Sequence, residues 1–89
     1  MENVSRKVVE VMSSEAFVLF KTKTSHEQSV YIALRDNPLV TETHALYGEY
    51  DLIARVSAEN QKDLSKLLLS QFRKIEGVKE TQTLIAVDY

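Results

Sequence analysis

Residues 16–20 read Ala-Phe-Val-Leu-Phe, set between Glu15 and Lys21. This short run limits the possible folds more than any other part of the chain. It is brief, aromatic and β-branched, and charges close it at both ends, so it predicts a strand. Side chains alternate along a strand, which puts Ala16, Val18 and Phe20 on one face and Phe17 and Leu19 on the other. A strand wetted on one side shows apolar residues on one face only. Here both faces are apolar, so the sheet that holds this strand is expected to be covered on both sides.

The rest of the chain has to supply those covers. Two glycines and one proline occur, Gly48, Gly77 and Pro38, and their rarity makes each one punctuation. Thr24 and Glu27 have the spacing of a capping box. Val30, Ala33 and Leu34 follow at helical spacing, which predicts a helix from about Ser25 to Asp36 that stops at Asn37-Pro38. Leu39 to Tyr47 reads as a strand. Gly48-Glu49 reads as a tight turn, and Tyr50 to Ser57 as the antiparallel return strand. Asn60 suits a helix cap. Leu64, Leu67, Leu68, Phe72 and Ile75 form one helical stripe, with Gly77 as the left-handed residue beyond it. Arg73 and Lys74 suit the dipole at that helix end. Val78 to Val87 reads as a last strand.

The order β-α-β-β-α-β predicts an α+β, ferredoxin-like fold: a four-stranded antiparallel sheet with two helices on one face. The other face is left bare, yet Phe17, Leu19, Ile53, Ile85 and Val87 are read as facing it. A homodimer packed sheet to sheet covers such a patch most economically. Size points the same way, since a domain of 89 residues without disulfides has a small core of its own.

Composition then excludes several classes. Eleven basic and thirteen acidic residues give a net charge of −2, which argues against direct nucleic-acid binding. The absence of cysteine removes disulfides, thiolate catalysis and cysteine-ligated metals. No apolar run reaches the ~20 residues of a membrane span, and residues 1–10 lack the apolar core of a signal peptide. A cytoplasmic protein with no cofactor and no metal is expected. His26 and His44 have no partner at metal-ligand or catalytic spacing.

Two motifs carry a resemblance. The first is Gly48-Glu49-Tyr50-Asp51-Leu52-Ile53-Ala54-Arg55-Val56, preceded by the Asn37-Pro38-Leu39-Val40 entry to a strand. The second is Glu76-Gly77-Val78 followed by Thr81-x-Thr83-x-Ile85. Together they resemble the ligand-sensing domain of the Lrp/AsnC transcription regulators, also called the regulation of amino acid metabolism (RAM) domain. The resemblance covers roughly Glu15 to Asp88, nearly the whole chain. It implies dimers packed sheet to sheet, often gathered into octamers, with amino-acid effectors bound near the glycine turn and the T-x-T strand. Family members carry a helix-turn-helix domain ahead of this region. Residues 1–14 are too few for one, so a sensing domain without its own DNA reader is expected, mixing with full-length regulators as a further partner. Those residues read as a short amphipathic helix, through Val4, Val8, Val11 and Met12, or as an extended arm.

An amino acid is a zwitterion: its ammonium needs a carboxylate, and its carboxylate needs N–H or O–H donors. Asp51 or Glu49 suits the ammonium, Gly48 permits close backbone approach, and Thr81 and Thr83 present hydroxyls on one strand face. With Tyr47 and Tyr50 these form the candidate ligand site. Tyr47 departs from the family pattern, which usually has a small hydroxyl residue there, and the resemblance then implies a narrowed pocket or a changed effector. Each residue also has a plain reading. Gly48 suits any hairpin turn, Asp51 can tie that turn down, Tyr50 suits an interface, and the threonines suit a strand. The expectation is a non-catalytic sensing and oligomerisation domain. The alternatives are a ferredoxin-like dimeric enzyme of the cofactor-free monooxygenase type, for which His44 is the one candidate base, and an assembly module with no ligand.

Overall fold

The computed structural model describes residues 14–87. The expectation for the N-terminal arm, Ser14 apart, lies outside them. The elements are β1 (Ser14–Thr22), α1 (Glu27–Arg35), β2 (Val40–Ala45), β3 (Leu52–Ala58), α2 (Gln61–Ser70), a 3-10 turn (Phe72–Lys74) and β4 (Val78–Ile85). The four strands form one antiparallel sheet in the order β2-β3-β1-β4. This is the ferredoxin-like α+β fold, and the two-sided strand β1 lies inside the sheet, between β3 and β4.

The core lies between the sheet and the helices. Ala16, Val18 and Phe20 of β1 are fully buried, as are Val30 and Leu34 of α1, and Leu64, Leu67 and Phe72 are within 2% of it. Register explains the match. Phe20 sits opposite Leu52 on one side and Thr81 on the other, and Val18 sits between Ala54 and Thr83. The Phe20 and Phe72 rings meet at 5.6 Å between centroids, tilted by 60°, a favourable aromatic geometry.

The same register corrects one assignment. Ile85 pairs with Ala16, so it lies on the helix-covered face and not beside Ile53. Leu84, opposite Phe17, and Gln82, opposite Leu19, take the open face instead. Val87 lies past the end of β4 and is 71% exposed. The open face therefore centres on Phe17, Leu19, Ile53 and Leu84.

Three local readings also change. The Thr24 capping box does not form: α1 is entered through His26, with no side-chain cap. Lys23 N–H donates to the Gly77 carbonyl at 2.8 Å, and His26 N–H to the Lys23 carbonyl at 3.0 Å. Thr24 and Ser25 are thereby held in a turn, with Ser25 at φ +70°. The second helix ends at Ser70 and restarts as a 3-10 turn, a common tightening at helix ends. Gly77 thus lies beyond the helical stripe and not at its cap, although its φ of +97° is left-handed. Finally, β2 and β3 are joined by the six-residue loop 46–51 and not by a two-residue turn.

Candidate functional site

The loop 46–51 is pinned at its base and bare at its tip. Leu46 N–H donates to the Asp51 carbonyl at 2.9 Å, and Asp51 N–H to the Phe20 carbonyl at 2.8 Å. The Asp51 carboxylate reaches across to β1. Its Oδ2 accepts the Thr22 N–H at 2.8 Å and the Thr22 hydroxyl at 3.1 Å. Charge-assisted acceptance by one oxygen fixes where the loop rejoins the sheet. Tyr47 at the tip is fully exposed. Gly48 has φ +126° and nothing within 4 Å of the position a Cβ would take.

Glu49 and Tyr50 turn toward the open sheet face. Lys21 Nζ lies 3.7 Å from the Glu49 carboxylate and 5.4 Å from the centre of the Tyr50 ring. The Tyr50 hydroxyl donates to Gln82 Oε1 at 2.5 Å. The loop is thereby linked to β4 across the end of β1.

Two clefts open on the helix side. One, of about 520 Å³, runs between α1 and β2 and is lined by Glu27, Tyr31, Thr43, His44, Asp51 and their neighbours. Inside the fold Thr43 Oγ1 is buried without a hydrogen-bond partner. The other, of about 300 Å³, lies between α2 and β4 and is lined by Val18, Ser65, Leu68, Leu69, Phe72, Arg73, Thr81, Thr83 and Ile85. The residues singled out from sequence are therefore divided. Asp51 lines the first cleft, Thr81 and Thr83 line the second, and Tyr47, Gly48, Glu49 and Tyr50 line neither. Phe20, between Leu52 and Thr81, stands between the two groups. Tyr31, Thr43, Arg73 and Gln82 were missed. Arg73 has an adequate explanation in helix electrostatics, and nothing in a β-branched strand marks Thr43 as unpartnered.

The open face carries a charged border. Arg55 donates to Glu15 at 2.7 Å and to Glu42 at 3.0 Å. His44 Nε2 meets the other Glu42 oxygen at 3.0 Å. The His44 hydrogen bond, and then Arg55, hold the Glu42 carboxyl below the usual carboxylate range. Glu15, and then Glu42, raise Arg55 further. The guanidinium also sits 6.0 Å from the Phe17 ring centre, so the border reaches the apolar patch. Among the described residues, no group of three or more His, Cys, Asp or Glu is placed to hold a metal ion. No helix among them is long and apolar enough to cross a membrane.

Comparison with known proteins gives a consistent answer. The Lrp/AsnC ligand binding domain matches residues 15–88. The HTH-type transcriptional regulator FL11 of Pyrococcus furiosus is 31% identical over 72 residues, which is 81% of this chain and 47% of FL11. The chain spans between a third and about half of the length of the curated relatives it matches. Among solved structures, the hypothetical protein PHS023 of Pyrococcus horikoshii is 36% identical with a TM-score of 0.80, over 85% of this chain and 92% of that one. The regulator NMB0573 of Neisseria meningitidis, solved as an L-Met complex, shares the fold with a TM-score of 0.79 at 20% identity, over 93% of this chain and 54% of its own. The chain belongs to the Lrp/AsnC ligand-binding domain family.

Proposed function

We propose that this domain is a non-catalytic sensor of an amino-acid effector, and that it works as an assembly of copies packed sheet to sheet. The observation that carries the proposal is the open sheet face. Phe17, Leu19 and Ile53 are half-buried and Leu84 is 48% exposed, in a family defined by ligand binding. A contiguous apolar patch of this kind marks an interaction surface. Self-pairing by a two-fold axis covers it with an identical patch.

The split of the candidate residues supports a site shared between chains. Asp51 spends Oδ2 on Thr22, which holds the loop beside the first cleft. Thr81 and Thr83 lie in the other cleft, so an effector touching both groups is held between neighbouring copies, with the exposed 47–49 tip closing over it. The L-Met complex of NMB0573 supports an amino acid as the effector. The family resemblance supports an octamer as the final assembly and full-length regulators as partners.

Isothermal titration against the twenty amino acids tests the ligand, and light scattering on a sizing column tests the assembly. Binding of at least one amino acid by a dimer or larger species is expected. A monomer that binds none at millimolar concentration overturns the proposal.

A further inference from the structure

The cleft between α2 and β4 has a chemistry of its own. One wall is apolar: Leu68, Leu69 and Ile85, with Val18 and Phe72 at the back. Leu69 is 57% and Ile85 42% exposed, so this wall faces outward without a cover. Four donor side chains line the same cleft, the Ser65, Thr81 and Thr83 hydroxyls and the Arg73 guanidinium. They are not spent on the protein. Among the described residues the side-chain hydroxyl hydrogen bonds fall elsewhere, on Thr22, Ser29, Thr41, Tyr50 and Ser70. Arg73 makes no ion pair among them either.

Among the described residues, no carboxylate lines this cleft. Glu80 borders an adjoining groove with Arg73 and Thr81. It is opposite Lys21, and strand alternation puts it on the other sheet face from Thr81. The cleft thus offers what an anionic carboxylate with an apolar tail needs, an arginine fork and three hydroxyls beside an apolar wall. It offers nothing that distinguishes an α-ammonium from an α-oxo group. Its volume of about 300 Å³ is at the lower end of small-molecule sites.

We infer that Arg73 is the carboxylate-reading residue of this cleft, and that the cleft accepts small apolar 2-oxo acids as readily as the corresponding amino acids. The inference rests on the effector reading above and narrows its chemistry. It makes the domain responsive to the carbon skeleton and carboxylate of the effector, whichever group sits on the α-carbon.

The test is isothermal titration of the wild-type protein, R73Q and E80Q with L-leucine, its 2-oxo counterpart 4-methyl-2-oxopentanoate, and L-lysine. The two leucine-type ligands are expected to bind wild type within about threefold of each other, and lysine more weakly. R73Q should weaken both by about tenfold or more, the worth of a charged hydrogen bond, and E80Q should leave both unchanged. The circular dichroism spectrum and melting temperature of R73Q serve to show that it is folded. Three outcomes overturn the inference and leave the effector reading standing: an amino acid that binds while its oxo acid does not, binding indifferent to R73Q, or amino-acid binding lost in E80Q. If no carboxylate binds wild type, the effector reading itself fails. If the oxo acid alone binds, both the inference and the amino-acid reading fall.

Discussion

Two glycines with left-handed φ do different work in this chain. Gly48 is at φ +126° in open space, whereas a Cβ on Gly77 would lie 2.7 Å from His26 Cβ. An alanine at Gly48 carries backbone strain alone, about 1–2 kcal/mol. An alanine at Gly77 adds overpacking against the first helical turn, another ~1–3 kcal/mol. Urea unfolding should therefore rank wild type above G48A and G48A above G77A. A G77A protein as stable as G48A would mean that His26 moves aside freely. The sequence supports the positive φ at both positions and hides the crowding at one. His26 and Gly77 are 51 residues apart, and no local pattern shows that they touch.

At the level of helices and strands, two capping signals of equal quality meet opposite fates. Asn60 caps α2, its side chain accepting the Asp63 N–H at 2.8 Å. Thr24 caps nothing, because the Lys23 to Gly77 bond sets the chain direction first. N60A should cost about 1 kcal/mol, and T24A should leave the unfolding midpoint nearly unchanged. Equal losses would show that the Thr24 box forms in solution. The strands were legible because β1 is apolar on both sides. The face of β4 was not, since Leu84 and Ile85 are adjacent and both apolar, and register alone decides which of them turns inward. For the same reason the site was read as one group. Sequence order says nothing of Phe20 standing between Asp51 and Thr81.

The ion cluster across β1, β2 and β3 makes a prediction about acid. The Glu42 carboxyl is held below its ordinary range by His44 and Arg55. Its contribution to stability is thus present above the unfolded-state pKa and is lost as pH falls through the lowered folded value. E42Q should be less stable than wild type near neutral pH, and the gap should close once the pH has fallen below the lowered folded-state pKa of Glu42. The difference should be small, as it is for exposed pairs in general. A gap that persists unchanged into acid would assign the loss to packing and not to charge.

For the molecule as a whole, the open face is the feature with the widest reach. Leu19 lies near its centre, opposite Ile53 and Gln82. An aspartate there is tolerated by a bare sheet and rejected by one packed on its own copy. L19D should keep the circular dichroism of the wild type and lose its association, read as a lower mass by light scattering. Unchanged mass would place the interface elsewhere.

The strand order has a last consequence, in time and not in space. Strand β1 is made first, and its neighbours are β3 and β4, with Ala16 facing Val56 on one side and Ile85 on the other. Both pairings close long stretches of chain, and such contacts are slow to form. During synthesis the most apolar strand therefore emerges early and waits, unpaired on one edge, until the final strand leaves the ribosome. Nascent-chain experiments should find protease resistance arriving late and abruptly, after β4 has emerged.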